Sequence, residues 1–371
     1  GLYALRKPLS REDVGREIPQ LAGMALRAPR FMLEAEISSI YKKDGRTRKV
    51  HSLVYMPDLD AADAFCEKLG AIGNLKSDGR PILGLDVRSL LEMVLEVPGA
   101  YMIPAHIWTP WFSLFGSKSG FDSLEECFGD LAPHIFAAET GLSSDPDMNR
   151  CWSHLDRLRL TSSSDAHSGE NLAREATVFD GAQSYAGIFD ALQGREGPTR
   201  YMGTLEFFPE EGKYHLDGHR ACGVMLEPAE CMRLGNICPV CGKPLTVGVL
   251  HRVLELSDRT EPPAPGRDFD SLIPLPEIIG ELLHCGPKTK KAQERYASLL
   301  HKFGPETAIL QDVPESDLGS AWPELGEAVR RMRAGMVIRK GGYDGEYGVS
   351  YKCECGCEET VDIRKFGGIK L

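Results

Sequence analysis

Short apolar runs that break off in polar residues recur through the first half of the chain: VHSLVYM at 50–56, AYMIPAHIW at 100–108, HIFAAET at 134–140 and LRLTSSSDAH at 158–167. Each has the length of a buried strand ending in groups that need water or a ligand. Between them, DAADAFCEKLGAI (60–72) and DVRSLLEMVLEV (86–97) space their apolar residues as helices do. Strands alternating with helices predict an α/β domain over 1–200 with a parallel, barrel-like sheet. In such sheets chemistry gathers at the C-terminal ends of the strands.

The pattern changes further on. Residues 201–260 lose periodicity and become rich in Gly, His and Cys, which predicts a small metal-stapled module. EPPAPGRD (261–268) has the composition of a linker. LIPLPEIIGELL (272–283), AQERYASLLHKF (292–303) and ELGEAVRRMRAG (324–335) then restore helical spacing, so 261–350 is expected to be mainly helical, with a Cys-containing tail at 351–371.

Composition narrows the class. The 371 residues are 42 % hydrophobic and 26 % charged, which excludes wholesale disorder. No run of about 18 apolar residues occurs, so no membrane partner is expected. With 43 basic against 54 acidic residues the formal charge is −11, so any nucleic-acid contact must use local basic patches. Eleven cysteines, several in close pairs, with no visible secretory signal, read as thiolate metal ligands in a reducing cytoplasm.

The strand ends carry the candidate chemistry. Glu36 follows FMLEA, His51 opens the run at 51–56, His106 closes the third run, Glu139 ends IFAA, and Asp165 with His167 closes LRLTSSS. Carboxylates and imidazoles are the oxygen and nitrogen ligands of Zn, Mn, Fe or Mg, and carboxylates bridge paired ions. Ser164 beside Asp165 lacks a base partner and is read as structural. A second signal is the knuckle Cys238-Pro-Val-Cys241, preceded by His219-Arg-Ala-Cys222 at the same two-residue gap. His219, Cys222, Cys238 and Cys241 are therefore the chosen structural zinc ligands; Cys231, His215 or His251 could replace one of them. Cys353, Cys355 and Cys357 form a third, weaker thiol run.

Four strings, IGNLKSDGRPILGLD (72–86), PAHIWTPWFSLFGSKSGFDSLEECFGD (104–130), ETGLSSDP (139–146) and SSDAHS (163–168), resemble the PHP-domain phosphoesterases, and among them the endonuclease Q branch. The likeness continues through FFPEEGKYHLDGHRACG (207–223), CPVCGKPLTVGVLHRV (238–253), SLIPLPEIIGELL (271–283) and GYDGEYG (342–348), and so spans nearly the whole chain. The resemblance implies a PHP-type (β/α) barrel and metal-dependent hydrolysis of DNA 5′ of uracil, hypoxanthine, xanthine or an abasic site. It implies that Glu36 bridges two ions, that His51 and His106 complete the second, that Asp165 serves the first and His167 the third, and that Glu139 lies near the site. Asp165, Glu36 and His106 would carry catalysis. The family's opening His-x-His strand is not matched, since no His precedes His51 and the chain begins with Gly. The barrel is therefore expected to be incomplete, as in a fragment lacking its first strands or an inactive variant.

Contacts to damaged DNA are expected from Lys288, Lys290, Lys291 and Arg295 around a Gly-Pro turn that opens a helix, and from Trp108 and Trp111 just after His106. Arg330, Arg331, Arg333, Arg339 and Lys340 form a second basic cluster. A sliding clamp is a further candidate partner. Two other readings fit the same residues: a different PHP-type phosphatase, and a zinc-containing protein that binds DNA without cutting it.

Overall fold

The computed structural model describes residues 30–76, 80–263 and 268–351. Cys353, Cys355 and Cys357 lie outside the described residues. The chain divides into two compact units, one holding Phe31–Asp270 with Lys340–Val349, the other Ser271–Arg339. Residues 31–200 and 201–260 lie in the same unit.

In the larger unit, β1 (Leu33–Lys43) and β2 (Arg46–Met56) form an antiparallel hairpin with Lys43 opposite Arg46. The two residues between them, Asp44 and Gly45, have φ of 51° and 77°. Both are left-handed, as a two-residue loop requires if its twist is to match the strands. β3 (Ile82–Leu83) adds parallel to β1, and β4 (Tyr101–Pro104) antiparallel to β2, giving the order β3-β1-β2-β4.

β2 is buried throughout 50–56 because both of its faces are covered. Val50, Val54 and Met56 enter a core with Phe65 and Leu69 of α1 (Leu59–Gly70) and Leu90, Leu91 and Val94 of α2 (Val87–Leu95). Leu53 and Tyr55 face the other way, onto Ile103, Ala137 and Phe189. Asp58 and Asp86 cap the two helices, each accepting a backbone N–H of the first turn at 2.8 Å.

β5 (Ala137–Glu139) and β6 (Arg159–Thr161) pair in parallel. β7 (Ala176–Gly181) and β8 (Thr199–Glu206) pair antiparallel across α3 (Tyr185–Leu192). The alternation of strands and helices is present, but the described strands lie in separate small sheets and no closed barrel occurs among them. The expectation of a parallel sheet fails at β1–β2, where a two-residue Asp-Gly turn leaves no room for a crossover. Beyond β8, the hairpin β9 (Asp217–His219) and β10 (Val224–Leu226) is followed by α4 (Pro228–Arg233) and α5 (Val249–Leu256).

The smaller unit contains α6 (Leu275–Leu282), α7 (Lys290–Phe303), α8 (Glu306–Gln311), α9 (Glu315–Ala321) and α10 (Pro323–Arg333). Leu275, Ile279, Ala292, Leu299, Ile309, Leu318, Leu325 and Val329 are buried at the spacing the periodicity predicts. No helix among the described residues is long and apolar enough to cross a membrane.

Candidate metal centre

Antiparallel pairing places Ser38 opposite His51 and Glu36 opposite Leu53, so Glu36 and His51 are diagonal neighbours on one face of the sheet. His106 reaches the same point from two residues beyond β4. Glu36 Oε1 lies 2.8 Å from His51 Nδ1 and 3.2 Å from His106 Nε2, and the two nitrogens are 3.1 Å apart. Metal–ligand bonds of about 2.1 Å place neighbouring ligand atoms roughly 3.0–3.4 Å apart, so this triangle has close to the edges of one coordination face. The donor set, one carboxylate and two imidazoles, fits a divalent ion.

Neighbouring groups fix the triangle. Thr109 Oγ1 lies 3.2 Å from His106 Nδ1 and donates to the Trp111 carbonyl at 3.0 Å, so it accepts the proton on Nδ1 and leaves Nε2 to face Glu36. The Glu139 carboxylate accepts the His106 backbone N–H at 2.9 Å. His106 itself has φ 29°, a strained value for a non-glycine residue, and Asp165 (φ 44°) and Phe112 (φ 61°) share this strain. Gly141 passes so close that a Cβ there would stand 2.5 Å from His106 Cβ. Phe112 lies against His51 with ring centroids 4.8 Å apart.

Charge follows from this packing. Burial works against ionised Glu36, yet hydrogen bonds from His106 and His51 hold its carboxyl well below the usual range. Burial lowers His51. Burial also disfavours a charged His106, but the Glu36 contact and the fields of Glu139 and Asp165 outweigh it and raise its pKa. Glu139, buried and serving a backbone amide, is pushed up to about 7 by desolvation.

The other site residues fall as follows. Glu36 Oε2, the oxygen a bridging carboxylate would offer a second ion, is paired with Arg80, a residue with no signal of its own in the sequence. Asp165 and His167 follow β6 with side chains 50 % and 81 % exposed, and the His167 Nδ1 approaches the Asp165 carbonyl at 2.9 Å. Neither joins the triangle, and Glu139 is engaged by the His106 backbone. Trp108 is 1 % exposed, donates its indole N–H to Asn149 Oδ1 at 2.7 Å and packs on Phe115 and Trp152. Its expected role on DNA is corrected to core packing. Trp111 is 36 % exposed and meets Tyr214 edge-on.

Ligand atoms of His219, Cys222, Cys238 and Cys241 lie within 4.8 Å of one another, with Cys241 Sγ 3.3 Å from His219 Nδ1. Burial opposes a thiolate at Cys238, but the N–H groups of Cys241 and Val240 overcome it and bring the thiol down to about 6. Such a thiol is ready to ligate.

In the smaller unit Lys288, Lys290 and Lys291 are exposed at the start of α7, where Thr289 caps the helix. Lys290 approaches Glu294 at 3.8 Å, and Arg295 lies over the Trp322 ring at 4.5 Å. Within the second basic cluster, Arg330 and Arg331 pair with Glu327 and Arg333 donates to three carbonyls, while Arg339 and Lys340 are exposed.

Residues 274–336 match the MJ0043 C-terminal domain family. The chain is 32 % identical over 330 residues to the uncharacterized protein YqxK of Bacillus subtilis, covering 88 % of this chain and 79 % of that one. It is 31 % identical over 252 residues to the uncharacterized protein MJ0043 of Methanocaldococcus jannaschii, covering 66 % of this chain but only 31 % of MJ0043. Among solved structures, the lesion-specific endonuclease PfuEndoQ from Pyrococcus furiosus superposes with a TM-score of 0.75 at 30 % identity, over 87 % of this chain and 80 % of that one. An endonuclease Q complex with a 27-mer duplex carrying an abasic lesion at the active site gives 0.75 and 30 %, over 88 % and 81 %. At this identity and coverage, the chain belongs to the endonuclease Q family.

Proposed function

We propose that the chain is a DNA-repair endonuclease that hydrolyses the phosphodiester 5′ of a deaminated base or abasic site with divalent metal ions. The observation that carries this reading is the convergence of Glu36 Oε1, His51 Nδ1 and His106 Nε2 in one triangle within a chain of this family. Glu36, His51 and His106 would hold one ion, and Asp165 and His167, exposed on the loop after β6, would serve others. A divalent ion supplies Lewis acidity toward a phosphate oxygen and makes water a competent nucleophile near neutral pH.

The chain's own residues do the rest. Thr109 fixes the His106 tautomer, and Glu139 and Gly141 fix its backbone. Arg80 places a guanidinium beside the centre, where a phosphate oxygen can accept from it. Trp111 offers an exposed ring for an unstacked base, and Lys288, Lys290, Lys291 and Arg295 a positive helix start for the backbone. Deamination turns an exocyclic donor into an acceptor, so a fixed N–H donor accepts uracil or hypoxanthine and is left unmet by cytosine or adenine, at about 1–3 kcal/mol per contact. Zinc on His219, Cys222, Cys238 and Cys241 would staple the module beyond β8.

The test is nicking of duplexes carrying one uracil, hypoxanthine or abasic site, with Mn²⁺ or Mg²⁺ supplied. Wild-type protein is expected to nick beside the lesion, and Glu36→Gln and His106→Ala to lose at least 10²-fold in rate while retaining lesion binding. Cleavage of a simple phosphate ester but not of any duplex would overturn the nuclease reading in favour of a phosphatase. Lesion binding without cleavage by any metal-loaded wild type would favour the non-catalytic one.

A further inference from the structure

A second mixed-donor group lies beside the Cys-rich one. Asp217, Cys231 and His251 bring an oxygen, a sulfur and an imidazole nitrogen within 4.8 Å of one another, and all three residues are buried. Asp217 Oδ2 is 2.6 Å from His251 Nδ1, and Oδ1 accepts the Gly248 N–H at 2.6 Å. Cys231 Sγ is 3.3 Å from the amide oxygen of Asn236, a non-glycine residue held at φ 60°. A carboxylate–imidazole hydrogen bond alone accounts for two of these residues, not for a thiol brought to the same point with an amide oxygen beside it.

Two observations outside that geometry favour an ion. Among the described residues, the local apolar core consists of Cys231, Cys238 and Leu245 with Cys222, Val224 and Leu226 packed against it, too little to hold an irregular segment without staples. Chain order also interleaves the two groups: Asp217, then His219 and Cys222, then Cys231, then Cys238 and Cys241, then His251. Each group therefore ties together stretches that the other leaves loose.

We propose that this segment holds two zinc ions, the second on Asp217, Cys231 and His251 with the Asn236 amide oxygen as fourth ligand. One carboxylate and one thiolate neutralise the ion's two charges, which suits an enclosed site. On binding, the thiol proton leaves to solvent and the Nδ1 proton of His251 moves to Nε2, so no buried charge is left over. The proposal goes beyond the zinc reading of His219, Cys222, Cys238 and Cys241, and its failure is separable from that one's.

The experiment counts zinc per full-length chain by elemental analysis in wild type, Cys231→Ala/His251→Ala and Cys238→Ala/Cys241→Ala. Each double variant is expected to lose one zinc relative to wild type. An unchanged count in Cys231→Ala/His251→Ala overturns the second site, whereas an unchanged count in Cys238→Ala/Cys241→Ala overturns the first. Because either variant could misfold, cobalt(II) titration of the metal-free wild type provides the second measurement. Two thiolate-to-cobalt transitions are expected, one about three times as intense as the other, and a single transition refutes the two-ion arrangement.

Discussion

Glu175 and Glu206 illustrate how single residues in this protein carry their surroundings. Both are buried, desolvation raises both carboxyls above their ordinary range, and the charge of Glu175 adds to the rise of Glu206. Glu175 accepts the Phe207 N–H at 3.0 Å, and Glu206 takes hydrogen bonds from Thr140 and Ser162. A carboxyl whose pKa rises on folding binds more protons folded than unfolded, so its contribution to stability falls as pH climbs from the unfolded value through the folded one. Glu175→Gln removes one titrating partner and keeps an acceptor for Phe207. Denaturant titrations should therefore show the variant gaining on wild type by about 1–3 kcal/mol between pH 5 and pH 8. A constant difference across that range would mean that Glu175 is ionised in the fold.

At the scale of elements, α10 supplies a bond network that its sequence conceals. Arg333 donates to the carbonyls of Leu310, Ile309 and Val313 at 2.8, 3.1 and 2.8 Å, closing the C-terminal end of α8. Those carbonyls have no helical partner of their own. Arg333→Ala should cost about 1–3 kcal/mol in the unfolding of the smaller unit, read by chemical denaturation, and Arg333→Lys should recover only part of it. An Ala variant as stable as wild type would show that water serves those carbonyls equally well.

The same scale shows what is legible in the sequence. The helices at 59–70, 87–95, 275–282, 290–303 and 323–333 follow from periodicity, because each buries one stripe. The continuous apolar run at 50–56 marks a doubly covered strand. Asp44-Gly45 is a hairpin signal that strand alternation alone does not capture, and it makes an expected parallel sheet antiparallel. In the centre, Glu36, His51 and His106 are legible as metal-ligand residue types beside apolar runs, but only His106 lies beyond a strand end, Glu36 and His51 standing inside β1 and β2. Arg80, Thr109 and Gly141 are not, because their importance lies in whom they touch. Trp108 departs from expectation because closeness in sequence to His106 does not say which way an indole points.

For the whole molecule, the charge of −11 means that any attraction to DNA, as proposed above, must be local. The positive start of α7 is then the place to test. Charge reversal at Lys290 and Lys291 should weaken lesion-duplex binding, and the slope of log affinity against log salt should become shallower by about one for each phosphate that the lysines neutralise. An unaltered slope would assign both lysines to solvent. Because Lys290 also neighbours Glu294, Lys291→Glu alone separates a phosphate interaction from a local helix effect.

The two faces of β2 have a consequence for how this centre could arise or be engineered. His51 stands between Val50 and Ser52 on a strand whose neighbours alternate between separate interiors. Removing one residue between the Asp-Gly turn and position 50 would swing the imidazole into the aliphatic layer and put Ser52 in its place beside Glu36. Loop-length changes at the hairpin tip therefore could not be tuned gradually: fold and ligand set would be kept or forfeited in a single step, and metal affinity would serve as a sensitive gauge of strand alignment.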